Sequence, residues 1–109
     1  MSTTFDDRKK GFETKFQKDQ ELQFKVNNRR NKLLGLWAAA QLGKSGDAAE
    51  AYAKDVVMAD FDKPGDDDVL NKVLKDLTDG GKATDAAAVR KQMTKLLDEA
   101  KEQVMNESK

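Results

Sequence analysis

The sequence predicts an all-α fold: an antiparallel four-helix bundle preceded by a flexible N-terminal arm. Three observations predict it. Lys, Asp, Ala and Leu dominate the 109 residues, with a single Pro and few β-branched side chains, which is a helical composition. Four segments carry apolar residues at spacings of three, four and seven, the repeat of one helix face. Short breaks rich in Gly, Ser or Pro separate them, and no segment alternates at the strand period.

Residues 1–18 are the arm. They hold Phe5, Phe12 and Phe16, three of the five Phe in the chain. On a helical wheel these three fall within about 40° of one another, whereas the apolar stripe of the following segment is offset by about 70°. An unbroken helix from Phe5 to Leu42 would therefore not bring both faces to one side. Gly11 costs such a helix about 1 kcal/mol against Ala, and an isolated helix of this length is marginal in water. The arm is expected to be disordered or frayed in the free protein, yet to carry a latent amphipathic face. The remainder, 19–109, is expected to form the bundle.

The first bundle helix is expected over about 19–42. Asp19 is its N-cap, because a carboxylate can accept the free amides of the first turn. Leu22, Val26, Leu33, Trp37 and Ala40 form the inward stripe, and Gly43 is the stop. The second helix is expected over about 46–61, with Ser45 as cap and Ala49, Tyr52, Ala53, Val56, Val57 and Phe61 inward. Lys63-Pro64-Gly65 breaks it through a missing amide and a freely rotating backbone. Asp66, Asp67 and Asp68 open the third helix, about 66–78, with Val69, Leu70, Val73, Leu74 and Leu77 as its stripe. Gly80-Gly81 ends it. Thr84 caps the fourth helix, about 85–105, whose stripe is Val89, Met93, Leu96, Leu97, Ala100 and Val104.

Composition excludes several chemistries. There is no Cys and no His, hence no thiol nucleophile, no thiolate metal site and no imidazole base or pH switch. Twenty basic and 20 acidic side chains give no net charge, against the basic surplus of a nucleic-acid binder. The longest apolar run, around Leu33–Ala40, is far short of the ~20 residues that span a membrane. The first residues are acidic where a secretory signal would be basic, so the chain is expected to stay in the compartment that made it, a reducing cytoplasm.

No catalytic pair stands out. The acidic turn Asp60–Asp68 has Pro64 where a calcium loop needs an oxygen ligand and lacks its terminal Glu, so helix capping is the better reading. Gly43-Lys44-Ser45 lacks the earlier Gly of a phosphate-binding loop; Lys44 and Ser45 are at most a weak nucleotide contact at a helix N-terminus. No enzyme activity, cofactor or metal is expected. Asn27–Lys32 reads as a solvated basic helix face, with a partner contact as the alternative. The arm is the strongest functional signal. It either packs back on the bundle as a helix extension or folds on a partner with Phe5, Phe12 and Phe16 as anchors. Its net charge of +2 is small for a membrane-surface helix.

Four blocks carry a resemblance: Thr3–Arg8, Lys15-Phe16, Arg29-Arg30-Asn31-Lys32-Leu33-Leu34-Gly35-Leu36-Trp37-Ala38-Ala39, and Pro64–Val69. With these the chain resembles, over nearly its whole length, the zeta subunit of the alphaproteobacterial F-type ATP synthase. The block around Trp37 is the specific one; the Gly-Asp-Asp-Asp run alone would not be. The resemblance implies a small four-helix protein that inhibits ATP hydrolysis by the catalytic head of the enzyme. It implies that the arm becomes helical, inserts at a catalytic interface between alpha and beta subunits, and wedges against the gamma subunit, while the bundle stays outside. In that setting Phe5, Phe12 and Phe16 would anchor, Arg8, Lys9, Lys10 and Lys15 would meet acidic surface, and Asp6 and Asp7 would sit at the favourable end of the helix dipole. The protein would then be cytoplasmic and peripheral to the inner membrane through the synthase. Gly11 stands where the family pattern commonly carries Ala, a departure that weakens the bound helix. The alternative functions are a small nucleotide-binding regulatory bundle, and an assembly factor of the same complex whose arm binds without inhibiting.

Overall fold

The computed structural model describes the backbone of residues 4–62 and 66–107, and the side chains of residues 11–60 and 66–107. Five helices make up this part, in the order α1 (Thr4–Lys18), α2 (Gln20–Gln41), α3 (Gly46–Asp62), α4 (Asp66–Asp79) and α5 (Ala86–Glu107). The fold is all-helical, with no strand among the described residues. The Lys63-Pro64-Gly65 break and the side chain of Phe61 lie outside the described residues.

Local chemistry places the breaks. Asp19 leaves the helical conformation (φ −105°, ψ 107°), and its carboxylate accepts the Leu22 amide at 3.1 Å. This one extended residue separates α1 from α2. After α2, Gly43 adopts φ +78°; its amide donates to the Ala40 carbonyl at 3.1 Å and the Lys44 amide to the Ala39 carbonyl at 2.8 Å. That pair of bonds terminates a helix only if the glycine position is left-handed. The same pair ends α4, where Gly81 at φ +79° donates to Thr78 (3.0 Å) and Lys82 donates to Leu77 (2.9 Å). The cap of α5 departs from expectation. Asp85, not Thr84, supplies it: the Asp85 carboxylate accepts the Ala88 amide at 2.9 Å. Either residue type can cap, so only the start of the helix decides which of the two adjacent residues does.

The molecule measures 49 × 30 × 28 Å. α2 is the central element, packing mainly on α3 and α5 and also touching α1 and α4. The main core gathers Leu34, Ala38, Ala39, Tyr52, Val56, Val69, Leu70, Val73, Leu77, Val89, Met93 and Leu96. A smaller cluster of Val26, Ala100 and Val104 sits at the other end, with Phe12, Phe16, Leu22, Leu33 and Leu97 against it. Gly35 lets α2 and α3 touch: a Cβ built there would stand 2.5 Å from the Ala53 Cα. No side chain fits at that spacing.

Two expectations for α2 are corrected. The inward stripe is not Leu22, Val26, Leu33, Trp37 and Ala40, because Ala40 is exposed and Leu33 and Trp37 are only half-buried. The buried face is Val26, Arg30, Asn31, Leu34, Gly35, Ala38 and Ala39. A helix packed on two sides buries an arc broader than one stripe, and here the arc is centred between the two neighbours. The basic stretch Asn27–Lys32 is likewise not a uniformly solvated face, since Arg30 is 3% and Asn31 0% exposed. Arg30 Nη2 donates to Asn31 Oδ1 (2.8 Å) and to Asp66 Oδ1 (2.9 Å), and its Nε donates to Asn31 Oδ1 at 3.1 Å. These bonds satisfy a guanidinium that burial would otherwise penalise heavily, and they tie α2 to the first residue of α4.

Candidate functional site

The strongest candidate in the sequence, the N-terminal segment, is α1. It docks on the bundle near the junction of α2 and α5. Phe12 and Phe16 are half-buried against the Val26–Ala100–Val104 cluster. The break at Asp19 explains how. The aromatic face of α1 and the core face of α2 are out of phase on one continuous helix, and one extended residue redirects the chain so that both reach the same cluster. The backbone is stitched at the break: the Asp19 amide donates to the Lys15 carbonyl at 2.8 Å, and Gln23 Nε2 donates to the Gln17 carbonyl at 3.0 Å.

Polar contacts frame the docked face. Lys101 Nζ on α5 lies 3.2 Å from Glu13 Oε2 and 4.7 Å from the centroid of the Phe16 ring. The Lys101 side chain is 18% exposed and that of Glu13 36%, so this ion pair is partly shielded from water. Pairs of this kind contribute at most about 1 kcal/mol, and a cation over a ring about 0.5–1 kcal/mol. The docking of α1 is thus held by a few weak contacts and two half-buried rings. Phe12, Glu13, Asp98, Lys101, Glu102 and Met105 line a cleft beside it.

The other expected arm residues divide as follows. Lys15 is exposed. Phe5, Asp6, Asp7, Arg8, Lys9 and Lys10 lie on α1, their side chains outside the described residues. Gly11 is exposed within α1, and an added Cβ there would meet nothing within 4 Å. Sequence reasoning missed Glu13 and Lys101 as partners; 88 positions separate them, and no local pattern joins them.

Lys44 and Ser45 sit on the exposed turn between α2 and α3. The Lys44 amide is already given to Ala39, so the backbone there offers a phosphate one donor fewer than an open helix N-terminus would. Tyr52 is core, 8% exposed, and its hydroxyl donates to Asp76 Oδ2 at 2.8 Å. Burial and the Asp76 carboxylate push its hydroxyl well above the usual phenol range. Lys72 bonds the same oxygen at 3.1 Å and lies over the Tyr52 ring, so α3 and α4 share one polar clasp. On the far side Arg29 reaches α5, 2.7 Å from Glu107 and 2.8 Å from Gln103 Oε1. The bond to Arg29 holds the Glu107 carboxyl below its ordinary range. Among the described residues no group of three or more His, Cys, Asp or Glu is arranged to hold a metal, and no helix is long and apolar enough to cross a membrane.

A family model described as ATPase inhibitor subunit zeta matches residues 1–103, which includes α1, the Trp37 block and most of α5. The chain belongs to the ATPase inhibitor zeta family. Among solved structures it is similar to a protein determined by solution NMR, at 51% identity and a TM-score of 0.69, over 79% of this chain and 98% of that chain. No curated protein sequence matches. Membership of the zeta family makes this chain an inhibitor-type subunit associated with the F-type ATP synthase. The family match also covers α1 with its half-buried Phe12 and Phe16, so this segment is part of the zeta pattern and not an appendage to it.

Proposed function

We propose that this chain inhibits ATP hydrolysis by the F-type ATPase head and that α1 is the inhibitory element. The observation that carries the reading is the family match across residues 1–103, taken with the way α1 is attached. One extended residue joins α1 to α2, and the docked rings rest on the smaller cluster while the main core is built without them. Releasing α1 therefore leaves Leu34, Val56, Val73 and Leu77 packed. The released arm is frayed in solution and refolds on its partner, since a helix of this length gains its stability from a packed face.

In this reading the arm inserts at an interface of alpha and beta subunits and stops the gamma subunit from turning in the hydrolytic direction. Phe5, Phe12 and Phe16 fill apolar sites. Arg8, Lys9, Lys10 and Lys15 pair with acidic surface, and Asp6 and Asp7 lie in the first turn of the bound helix, where the dipole favours them. No residue does bond chemistry; the chain is a regulatory subunit without cofactor, working in the cytoplasm at the membrane-bound synthase. A Phe5→Ala, Phe12→Ala variant should lose inhibition of a purified F-type ATPase while keeping the circular dichroism of a folded bundle. Full inhibition by that folded variant would refute the assignment of the arm.

A further inference from the structure

α1 is held to the bundle more loosely than the bundle helices are held to one another. α2 and α3 approach so closely at Gly35 that no Cβ fits between them. Between α1 and α5 a cleft of about 190 Å³ stays open, lined by Phe12, Glu13, Asp98, Lys101, Glu102 and Met105. Phe12 and Phe16 touch the Val26–Ala100–Val104 cluster, yet part of each side chain stays in reach of water. The bond from the Leu22 amide to the Asp19 carboxylate lies within the start of α2, so α2 keeps its cap whether or not α1 is docked.

Charge decides whether α5 accepts α1. The cleft holds three carboxylates, Glu13 from α1 and Asp98 and Glu102 from α5, and Lys101 is the one cation among its lining residues. The Lys101 ammonium lies 3.2 Å from Glu13 Oε2 and 4.7 Å from the Phe16 ring centroid, and its side chain is only 18% exposed. Asp98 stands three positions before it on α5, within reach of an intrahelical pair, yet the bond goes across to α1. Among the described residues this is the one ion pair that reaches α1. Glu13 and Phe16, three residues apart, are neighbours on one helix face, so a single ammonium holds both and both contacts end together when α1 lifts. Without that ammonium Glu13 would face Asp98 and Glu102, like charges in a half-covered cleft.

We propose that docked α1 is an autoinhibited resting state of this chain, and that Lys101 is the clasp that closes it. The inference rests on the proposed inhibitory function and adds its regulation. The rings that would anchor α1 in the ATPase head, Phe12 and Phe16, are the rings seated on the bundle. One ring cannot fill both sites, so docking and inhibition exclude each other. Affinity for the head is then reduced by the fraction of chains whose arm is released. The clasp is weak enough to open: an ion pair and a cation over a ring, at this exposure, each shift an equilibrium by about fivefold or less. Neutralising Lys101 raises the released fraction and makes the chain a stronger inhibitor, the reverse of what loss of a binding residue does.

The test is Lys101→Met in the full-length chain, which keeps an apolar stem against Phe16 and removes the charge. Amide hydrogen exchange of residues 12–18, read by NMR on the free protein, should quicken by about three- to tenfold, and inhibition of a purified F-type ATPase head should tighten by a similar factor. High salt should narrow the difference between variant and wild type. Lys95→Met, exposed on the same helix, should match wild type in both readouts. The chain has no Cys, so Glu13→Cys with Lys101→Cys provides a unique thiol pair. Joined by a short bis-maleimide, that variant should keep its helices by circular dichroism and inhibit at least about tenfold less well than the same variant before joining. Unchanged exchange in Lys101→Met, or weaker inhibition by it, overturns the clasp, and so does undiminished inhibition by the cross-linked chain. In each of these cases the arm reading stands if the Phe5→Ala, Phe12→Ala variant fails to inhibit, and falls if that variant inhibits fully. Failure of the wild-type chain itself to inhibit the head removes both readings at once.

Discussion

Gly35 is the residue whose replacement tests the packing most directly. An added Cβ would stand 2.5 Å from the Ala53 Cα, 3.1 Å from the Ala53 Cβ and 3.3 Å from Val56 Cγ2. Carbon atoms meet comfortably at about 3.5–4.0 Å, so the Ala53 backbone would have to retreat by about 1 Å. That atom belongs to a helix and cannot rotate aside, so α2 and α3 must separate along their contact. Overpacking costs about 1–3 kcal/mol, and a 2.5 Å approach to a backbone atom that cannot rotate aside belongs in the upper part of that range, about 2–3 kcal/mol. Replacing Gly by Ala inside a helix returns about 1 kcal/mol of propensity. Gly35→Ala is therefore expected to be destabilised by about 1–2 kcal/mol, lowering the melting temperature by about 5–15 °C for a domain of this size. Urea unfolding followed at 222 nm measures it. Gly11→Ala is the matched control, because nothing lies within 4 Å of a Cβ there and only the propensity gain remains. It should raise helix content without loss of stability, and it should tighten inhibition by up to about fivefold if the arm binds as a helix. A Gly35→Ala protein as stable as wild type would refute the close approach of α2 and α3.

Other consequences follow from single contacts. Asp66→Ala leaves the Arg30 guanidinium buried without its carboxylate and should cost about 1–3 kcal/mol, whereas Asp67→Ala breaks only an exposed pair with Arg90 and should cost less than about 1 kcal/mol; chemical denaturation of the two, which share the same helix-end charge effect, separates these contributions. Asp85→Ala should cost about 1 kcal/mol and Thr84→Ala almost nothing, read from the same unfolding curves. Tyr52 is the only Tyr, and its raised folded-state value means that stability is fully present below the ordinary phenol range and is lost as pH rises above it, when the unfolded chain ionises first. An absorbance titration at high pH should show ionisation delayed beyond that of free tyrosine and coincident with loss of helix; early ionisation with the helices intact would contradict the Asp76 bond.

How much of this was legible in the sequence depends on the range of the forces involved. The Asp19 cap and the glycine stops at Gly43 and Gly81 act within one turn, on the donors and acceptors that a helix end leaves free, and they can be read from neighbours along the chain. The all-helical class follows from composition and period, and the family is carried by a block of consecutive residues around Trp37. The anchors Phe12 and Phe16 were visible as an apolar face, but their seat was not: Val26, Ala100 and Val104 come together only when α2 and α5 pack. Lys101 joins Glu13 for the same reason.

The inward face of α2 shows the division most clearly. Hydropathy favours Leu33 and Trp37, and a reader of one strip of sequence places them in the core. Packing on both α3 and α5 turns the helix so that Leu34, Gly35 and Ala38 go in, because small residues let the neighbouring helices approach while Trp37 stays at the margin. The same rotation carries Arg30 and Asn31 inside, where Asp66, distant in sequence, makes the burial tolerable. Helix class and helix ends are set by interactions between residues a few positions apart. Which face is buried, and which of the charged residues it takes with it, is set by competition among whole helices for contact area, and that competition has no local signature.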